Sequence, residues 1–290
     1  MLKDYLIDWC QEESNNSHAG NCGHHCDNKN FCTHNCDDCL DQVHWYPSSD
    51  GRADYTCHNL LLRYVLRFTQ KYSQQIASAL RMINQAEYPR FNILSIGCGG
   101  TPDLMAFEEE TDRPIYYCGY DRNIYWSEIH DKIEEYVAWS RDIDANLYRE
   151  DIFDALSTGI SSGPSYNVIV IQYLLSHLFN TNQEHLTSRL FNALIKDVIH
   201  NHSGDSPFLI IITDVDSVNK GRNRWFTFLD MLEDAGFHGN AYARSAYPTG
   251  DLGRERWSRH KTSRCFGNIN YTYFPNESEH DGAQLIIELR

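Results

Sequence analysis

The chain has 290 residues, of which 41% are apolar and 22% charged, proportions that suit a globular protein large enough to bury its own core. A formal charge of −15 disfavours a broad nucleic-acid-binding surface, because neutralised phosphates supply most of such affinity. No run approaches the roughly 18 apolar residues of a membrane span, and Met1 to Trp9 lacks the apolar core of a signal peptide, so a cytoplasmic location is expected.

The first 60 residues are rich in cysteine: Cys10, Cys22, Cys26, Cys32, Cys36, Cys39 and Cys57, interleaved with His18, His24, His25, His34, His44 and His58. Disulfides need an oxidising compartment that nothing in the sequence suggests. Thiolate and imidazole are the ligands of tetrahedral zinc, in closely spaced pairs. Cys36-Asp-Asp-Cys39 is such a pair, Cys32 precedes it, and Cys57 follows after a candidate turn, Tyr46 to Gly51. These four are the candidate zinc ligands; Cys10, Cys22, His24, His25 and Cys26 leave open a second site or a substituted ligand. With few aliphatics of its own, the segment 1–59 is expected to be a small element stapled by metal.

Residues 59–88 carry a broad apolar stripe, from Leu60, Leu61 and Tyr64 to Leu80 and Ile83, with Arg63, Arg67, Lys71 and Arg81 between. The pattern predicts a helix along the sheet, with Tyr64 or Arg67 placed to help close a ligand site. Next, Phe91-Asn-Ile-Leu-Ser-Ile96 ends in Gly97-Cys-Gly-Gly100, and Leu104 to Phe107 begins a second apolar run. That reads as a buried strand, a glycine turn that lets backbone approach a ligand, and a helix start. Pro114 to Tyr120 is a second candidate strand, and Asp121 at its end lies 22 residues beyond Gly99, close to the ~20-residue spacing at which an acid meets a ribose hydroxyl.

A third segment, Leu147 to Phe153, holds Asp151; the other acids between Glu128 and Asp154 read as a solvated helix face. Tyr166 to Gln172 and Phe208 to Asp214 are apolar enough to be central strands. After the first of these comes Leu174-Leu-Ser-His177; after the second, Asp214 and Asp216 stand where a substrate can reach. Residues 238–264 read as an irregular insertion, basic through Arg244, Arg254, Arg256, Arg259, Lys261 and Arg264 against Asp251 and Glu255. Asn270 to Phe274 and Gln284 to Leu289 suggest an antiparallel hairpin at the sheet edge.

Strands alternating with helices make this an α/β chain. Over roughly residues 60–290 the motifs resemble a class I S-adenosylmethionine-dependent methyltransferase. The matching pieces are Ser95 to Gly100, Asp121, Asp151-Ile152, Gln172-Tyr173 and the late helix and turn Phe228 to Phe237. A nicotinamide-binding Rossmann domain fits less well, since Pro102 stands where its third glycine belongs. The resemblance implies a Rossmann-like sheet flanked by helices, with the N-terminal element appended, and cofactor contacts from Gly97, Cys98, Gly99, Asp121, Arg122, Asp151, Ile152, Gln172 and Tyr173. It also implies methyl transfer to an oxygen or nitrogen of a small molecule or protein, with His177 and Asp214 as catalytic candidates. The spacing Cys32-x3-Cys36-x2-Cys39 is also that of radical enzymes of the same cofactor, but Asp38 replaces their usual aromatic residue and a nucleotide fold follows instead of their barrel. A different class remains as the alternative: a methyltransferase-like adaptor without chemistry, whose zinc element makes protein contacts.

Overall fold

The computed structural model describes residues 1–18, 35–45, 55–160, 165–202, 206–217, 224–244, 257–261 and 282–290. Five parallel strands form most of one sheet: β1 (Phe91–Ile96), β2 (Ile115–Tyr120), β3 (Ile143–Tyr148), β4 (Val168–Gln172) and β5 (Phe208–Val215). Three more described strands join it: β6 (Gly239–Arg244), β7 (Trp257–Lys261) and β8 (Gly282–Leu289). The strand order is β3-β2-β1-β4-β5-β8-β6-β7, with β8 antiparallel to both β5 and β6. The order reverses at β1 and β4, and there an open α/β sheet forms its binding crevice.

Alternation along the central strands assigns the two faces. Ile93, Tyr117, Val168, Val170, Leu209 and Ile211 join a core with α1 (Leu2–His18), α3 (His58–Leu80), α4 (Pro102–Glu110) and α5 (Ser127–Val137). Leu94, Cys118, Ile169, Ile171, Ile210 and Ile212 face the other way. They pack under α6 (Ile152–Thr158), α7 (Leu174–Asn180), α8 (His185–Leu194) and α9 (Arg224–Asp234). A period of two on strands buried on both sides produces this three-layer arrangement. The remaining described α-helix, α2 (Cys36–Trp45), lies on α3, where Arg63 pairs with Asp37 and Arg67 with Asp41.

Several sequence expectations are amended. The third strand is Ile143-Asp-Ala-Asn-Leu-Tyr148; Asp151 lies beyond it, at the start of α6. An edge strand with one covered face needs few apolar residues, so its true extent was hidden. The helix expected over 59–88 stops at Leu80, and Gln85–Glu87 forms a separate 3₁₀ turn whose Asn84 side chain accepts from Ala86 N. The insertion expected over 238–264 begins with β6 and contains β7; 245–256 and 262–264 lie outside the described residues. Gln284 to Leu289 is not at the edge, because β8 is paired on both sides and buried along its whole length. The expected partner, Asn270 to Phe274, lies outside the described residues. Within the segment 1–59, α1 packs Leu2, Leu6, Ile7 and Cys10 into the same core as α3 and α4.

Candidate active site

The turn after β1 is tight and held by its own backbone. Gly97 and Gly99 have φ of +68° and +49°, a region that costs other residues strain. Gly97 N and Cys98 N both donate to Tyr120 O, at 2.8 and 3.1 Å, which ties the turn to the end of β2. Gly99 N donates to Asp121 Oδ2 at 3.1 Å, while Asp121 Oδ1 accepts from Asn123 N at 2.9 Å. Two backbone donors thus orient one carboxylate.

A cavity of about 600 Å³ lies at the carboxyl ends of β1 to β5. Gly97, Gly99, Asp121, Arg122, Asp151, Ile152, Gln172 and Tyr173 line it, as does His177 on α7. These expected residues are therefore brought together. Asp151 caps α6, accepting from Phe153 N at 2.9 Å, and Arg122 Nη1 lies 3.9 Å from Asp151 Oδ2. Both side chains of that pair are part-exposed, so the attraction is screened.

Two expected residues are placed elsewhere. Cys98 is buried in the core shared with α4 and is not among the lining residues; burial pushes its thiol well above the usual range. Asp214 is fully buried and also absent from the walls. Its Oδ2 accepts from Ser176 N at 3.1 Å and Oδ1 from Val215 N at 2.7 Å, so it anchors the start of α7 and acts on the cavity through that helix. Burial raises its pKa to about 6 despite those hydrogen bonds. Asp216, two residues on, does line the cavity.

Part of the cavity wall is aromatic: Tyr55, Tyr64, Tyr72, Trp126 and Tyr173. Tyr72 stacks on Tyr173 with centroids 4.3 Å apart, and Tyr64 meets Tyr55 and Trp126 edge-on at 5.1 and 5.7 Å. Burial lifts the Tyr64 and Tyr72 phenols above their usual range and keeps them neutral. Tyr173 itself is left-handed, at φ 57°. Its hydroxyl accepts from Gln75 Nε2 at 2.8 Å, and Gln172 Nε2 donates to Tyr72 O at 3.0 Å, so amides fasten α3 to the turn after β4. Gln172 Oε1 is buried without a partner. Of the two α3 residues expected at the site, Tyr64 is there; Arg67 instead pairs with Asp41 on α2. Tyr72, Lys71, Tyr55, Trp126 and Phe153 were not anticipated. The aromatic spacing of Tyr64, Phe68 and Tyr72 is the same signal that marks a core-facing helix, and a sequence cannot separate a wall from a core.

Of the candidate zinc ligands, Cys32 lies outside the described residues. Cys36 opens α2 and Cys57 immediately precedes α3, both buried; Cys39 and Cys57 pack in one small cluster with Leu40, Leu60, Phe68 and Tyr72. Among the described residues no three His, Cys, Asp or Glu side chains gather as a metal site. No described helix is long and apolar enough to cross a membrane.

No family model matches the sequence, and no curated protein matches it. Solved structures do. The plantazolicin methyltransferase BpumL, in complex with a pentazolic desmethylPZN analog and SAH, is similar with a TM-score of 0.50 at 12% identity, over 88% of this chain and 98% of that one. The same enzyme with SAH alone gives 0.46 at 14%, over 97% and 100%. A putative O-methyltransferase from Klebsiella pneumoniae gives 0.42 at 11%, over 77% and 89%. At these identities the likeness is one of fold, and it rests on the first.

Proposed function

We propose that this chain is an S-adenosylmethionine-dependent methyltransferase acting on an oxygen or nitrogen of a small molecule or protein. The observation that carries the reading is the convergence of Gly97, Gly99, Asp121 and Asp151 on one cavity at the strand ends. The residues suit the cofactor. Asp121 is oriented by two amides, Gly97 and Gly99 line the cavity, and Gln172 Oε1 is a buried acceptor still lacking a donor. Its presence as SAH in a protein of like fold adds support.

When bound, S-adenosylmethionine supplies a methyl group already activated by its sulfonium. The work left to the protein is alignment and exclusion of water. Asp121 would accept the ribose hydroxyls, Asp151 and Ile152 would hold the adenine, and the backbone at Gly97 and Gly99 would face the methionine end. Tyr64 and Tyr72, which line the cavity, would help to exclude water from it. His177, on the cavity wall, would take the proton that an acceptor hydroxyl or ammonium must lose. Asp214 fixes the helix that carries His177.

Calorimetric titration of S-adenosylhomocysteine tests the site. Asp121→Ala removes charge-assisted hydrogen bonds worth ~1.5–3 kcal/mol, so affinity should fall about tenfold to a hundredfold. Asp121→Asn, which retains one acceptor oxygen, should lie between. No binding to the folded wild type would overturn the reading. Binding without methyl transfer to any offered acceptor would favour the adaptor alternative. The acceptor class and the cytoplasmic setting belong to the proposal and rest on sequence alone. So does zinc, on the spacing of Cys32, Cys36, Cys39 and Cys57; the described residues do not assemble a donor set, and no step is routed through a metal. Metal analysis of the purified protein decides it, zinc below about 0.1 equivalent sinking the idea, since a structural site stays loaded.

A further inference from the structure

We propose that His130 is a positioning residue for the glycine turn, clamping the Gly99 carbonyl from behind while Asp121 clamps the Gly99 amide from the cavity side. The inference rests on the reading of that cavity as a cofactor site.

His130 lies on α5, fully buried, with Nε2 2.8 Å from Gly99 O. A carbonyl only accepts, so Nε2 must carry the proton and Nδ1 must be the bare nitrogen. Nδ1 is itself buried without a hydrogen-bond partner. An apolar side chain at this position would avoid that burden, since an unsatisfied buried polar atom opposes folding. A stability-neutral core does not call for a histidine here; the donor does.

Its target is the most mobile kind of residue. Gly99 has no Cβ and sits at φ +49°, so little but hydrogen bonding stops its two flanking peptides from rotating. Both are held: the amide by Asp121 Oδ2 at 3.1 Å, the carbonyl by His130. The Trp126 ring packs on the side where a Cβ would stand, its Cζ2 3.3 Å from that position on Gly99. Trp126 and His130 are nearly coplanar in orientation, 8° apart, one turn apart along the chain. A turn held this way meets a ligand already in shape, which removes an ordering cost from binding.

The test compares His130→Gln, which keeps an N–H donor of similar reach, with His130→Met, which keeps bulk and loses the donor. In calorimetry, His130→Met should bind S-adenosylhomocysteine at least tenfold more weakly than wild type. His130→Gln should come within about threefold of wild type, whereas a purely packing role would spare Met and not Gln. Wild-type affinity in His130→Met, or equal losses in both variants, overturns the clamp. Amide hydrogen exchange on the ligand-free proteins keeps this separable from the cofactor reading. Gly99 and Gly100 should exchange about tenfold faster in His130→Met and at the wild-type rate in His130→Gln. Equal exchange in all three overturns the clamp, whether or not S-adenosylhomocysteine binds.

Discussion

The same histidine should leave a mark on stability as a function of pH. Burial holds its pKa down at about 4, against 6.5 for an ordinary imidazole, and the hydrogen bond to Gly99 O offsets only part of that depression. Folding therefore favours the neutral ring. Above pH 6.5 both states are neutral and the group contributes nothing pH-dependent. As pH falls below 6.5 the unfolded chain takes up a proton that the folded one refuses, and stability is lost until about pH 4, where the folded ring protonates too. At pH 4.5 the loss integrates to about 2.5 kcal/mol, since each tenfold difference in proton affinity between the two states is worth about 1.4 kcal/mol. The perturbation is His130→Gln, which cannot titrate and leaves every other ionisable group in place. Urea unfolding of both proteins at pH 7.5 and 4.5 gives the difference in stability at each pH. The gap should move by about 2.5 kcal/mol in favour of the variant on acidification. A gap that is the same at both pH values would refute the buried neutral imidazole, and with it the tautomer assigned above.

Asp214 should show the opposite sign. Its pKa is raised to about 6 from 3.8 by burial, so the folded state holds a proton the unfolded state releases, and stability is lost as pH rises from about 4 to 6. Relative to wild type, Asp214→Asn should gain about 2–3 kcal/mol between pH 4 and pH 7 in the same urea assay; a flat difference would contradict the burial. Gly119→Ala should cost about 1–3 kcal/mol. Its Cβ would lie 2.8 Å from the Tyr117 ring and 2.9 Å from both Cys98 Sγ and Leu147 Cδ2. A urea midpoint unchanged from wild type would mean that this spot repacks freely. Tyr173→Phe removes the acceptor for Gln75 Nε2, a fully buried donor, and should lower stability by about 1–3 kcal/mol while leaving the ring stack on Tyr72 in place. Thermal melts identical to wild type would show that water replaces the hydroxyl.

The parts of the fold legible in the sequence are those where burial on both faces forces a continuous apolar run. β1, β4 and β5 announce themselves through Ile93-Leu94, Val168 to Ile171 and Leu209 to Ile212, and the glycines after β1 mark a place where backbone must turn left-handed. Asp121 and Asp151 were legible as cavity-lining residues because a position just after a strand brings them to the end of the sheet where the cavity lies. β3 and β7 were blurred or missed because strands at the sheet edges need no apolar excess, and β6 because Gly239-Asn-Ala-Tyr-Ala-Arg244 has none of the branched aliphatics that mark β4 and β5. α1 was missed for a related reason, since it buries only a narrow stripe, Leu2, Leu6, Ile7 and Cys10. Asp214 illustrates the converse. A carboxylate at a strand end reads as catalytic, but here it turns inward to hold the amide of Ser176. His130 carried no signal at all, because nothing along the chain reveals that a residue 31 positions after Gly99 reaches its carbonyl.

The place of β8 has a consequence for how the protein is made. It emerges from the ribosome after the seven other described strands, yet it lies between β5 and β6 and bonds to both. Until it arrives, the parallel half of the sheet ends in a bare β5 rich in isoleucine, and β6 has no partner on that side. Such an edge invites pairing with another nascent chain. Completion of the domain is therefore a closing insertion rather than a growth outward, and the interval before it is when a chaperone would matter most.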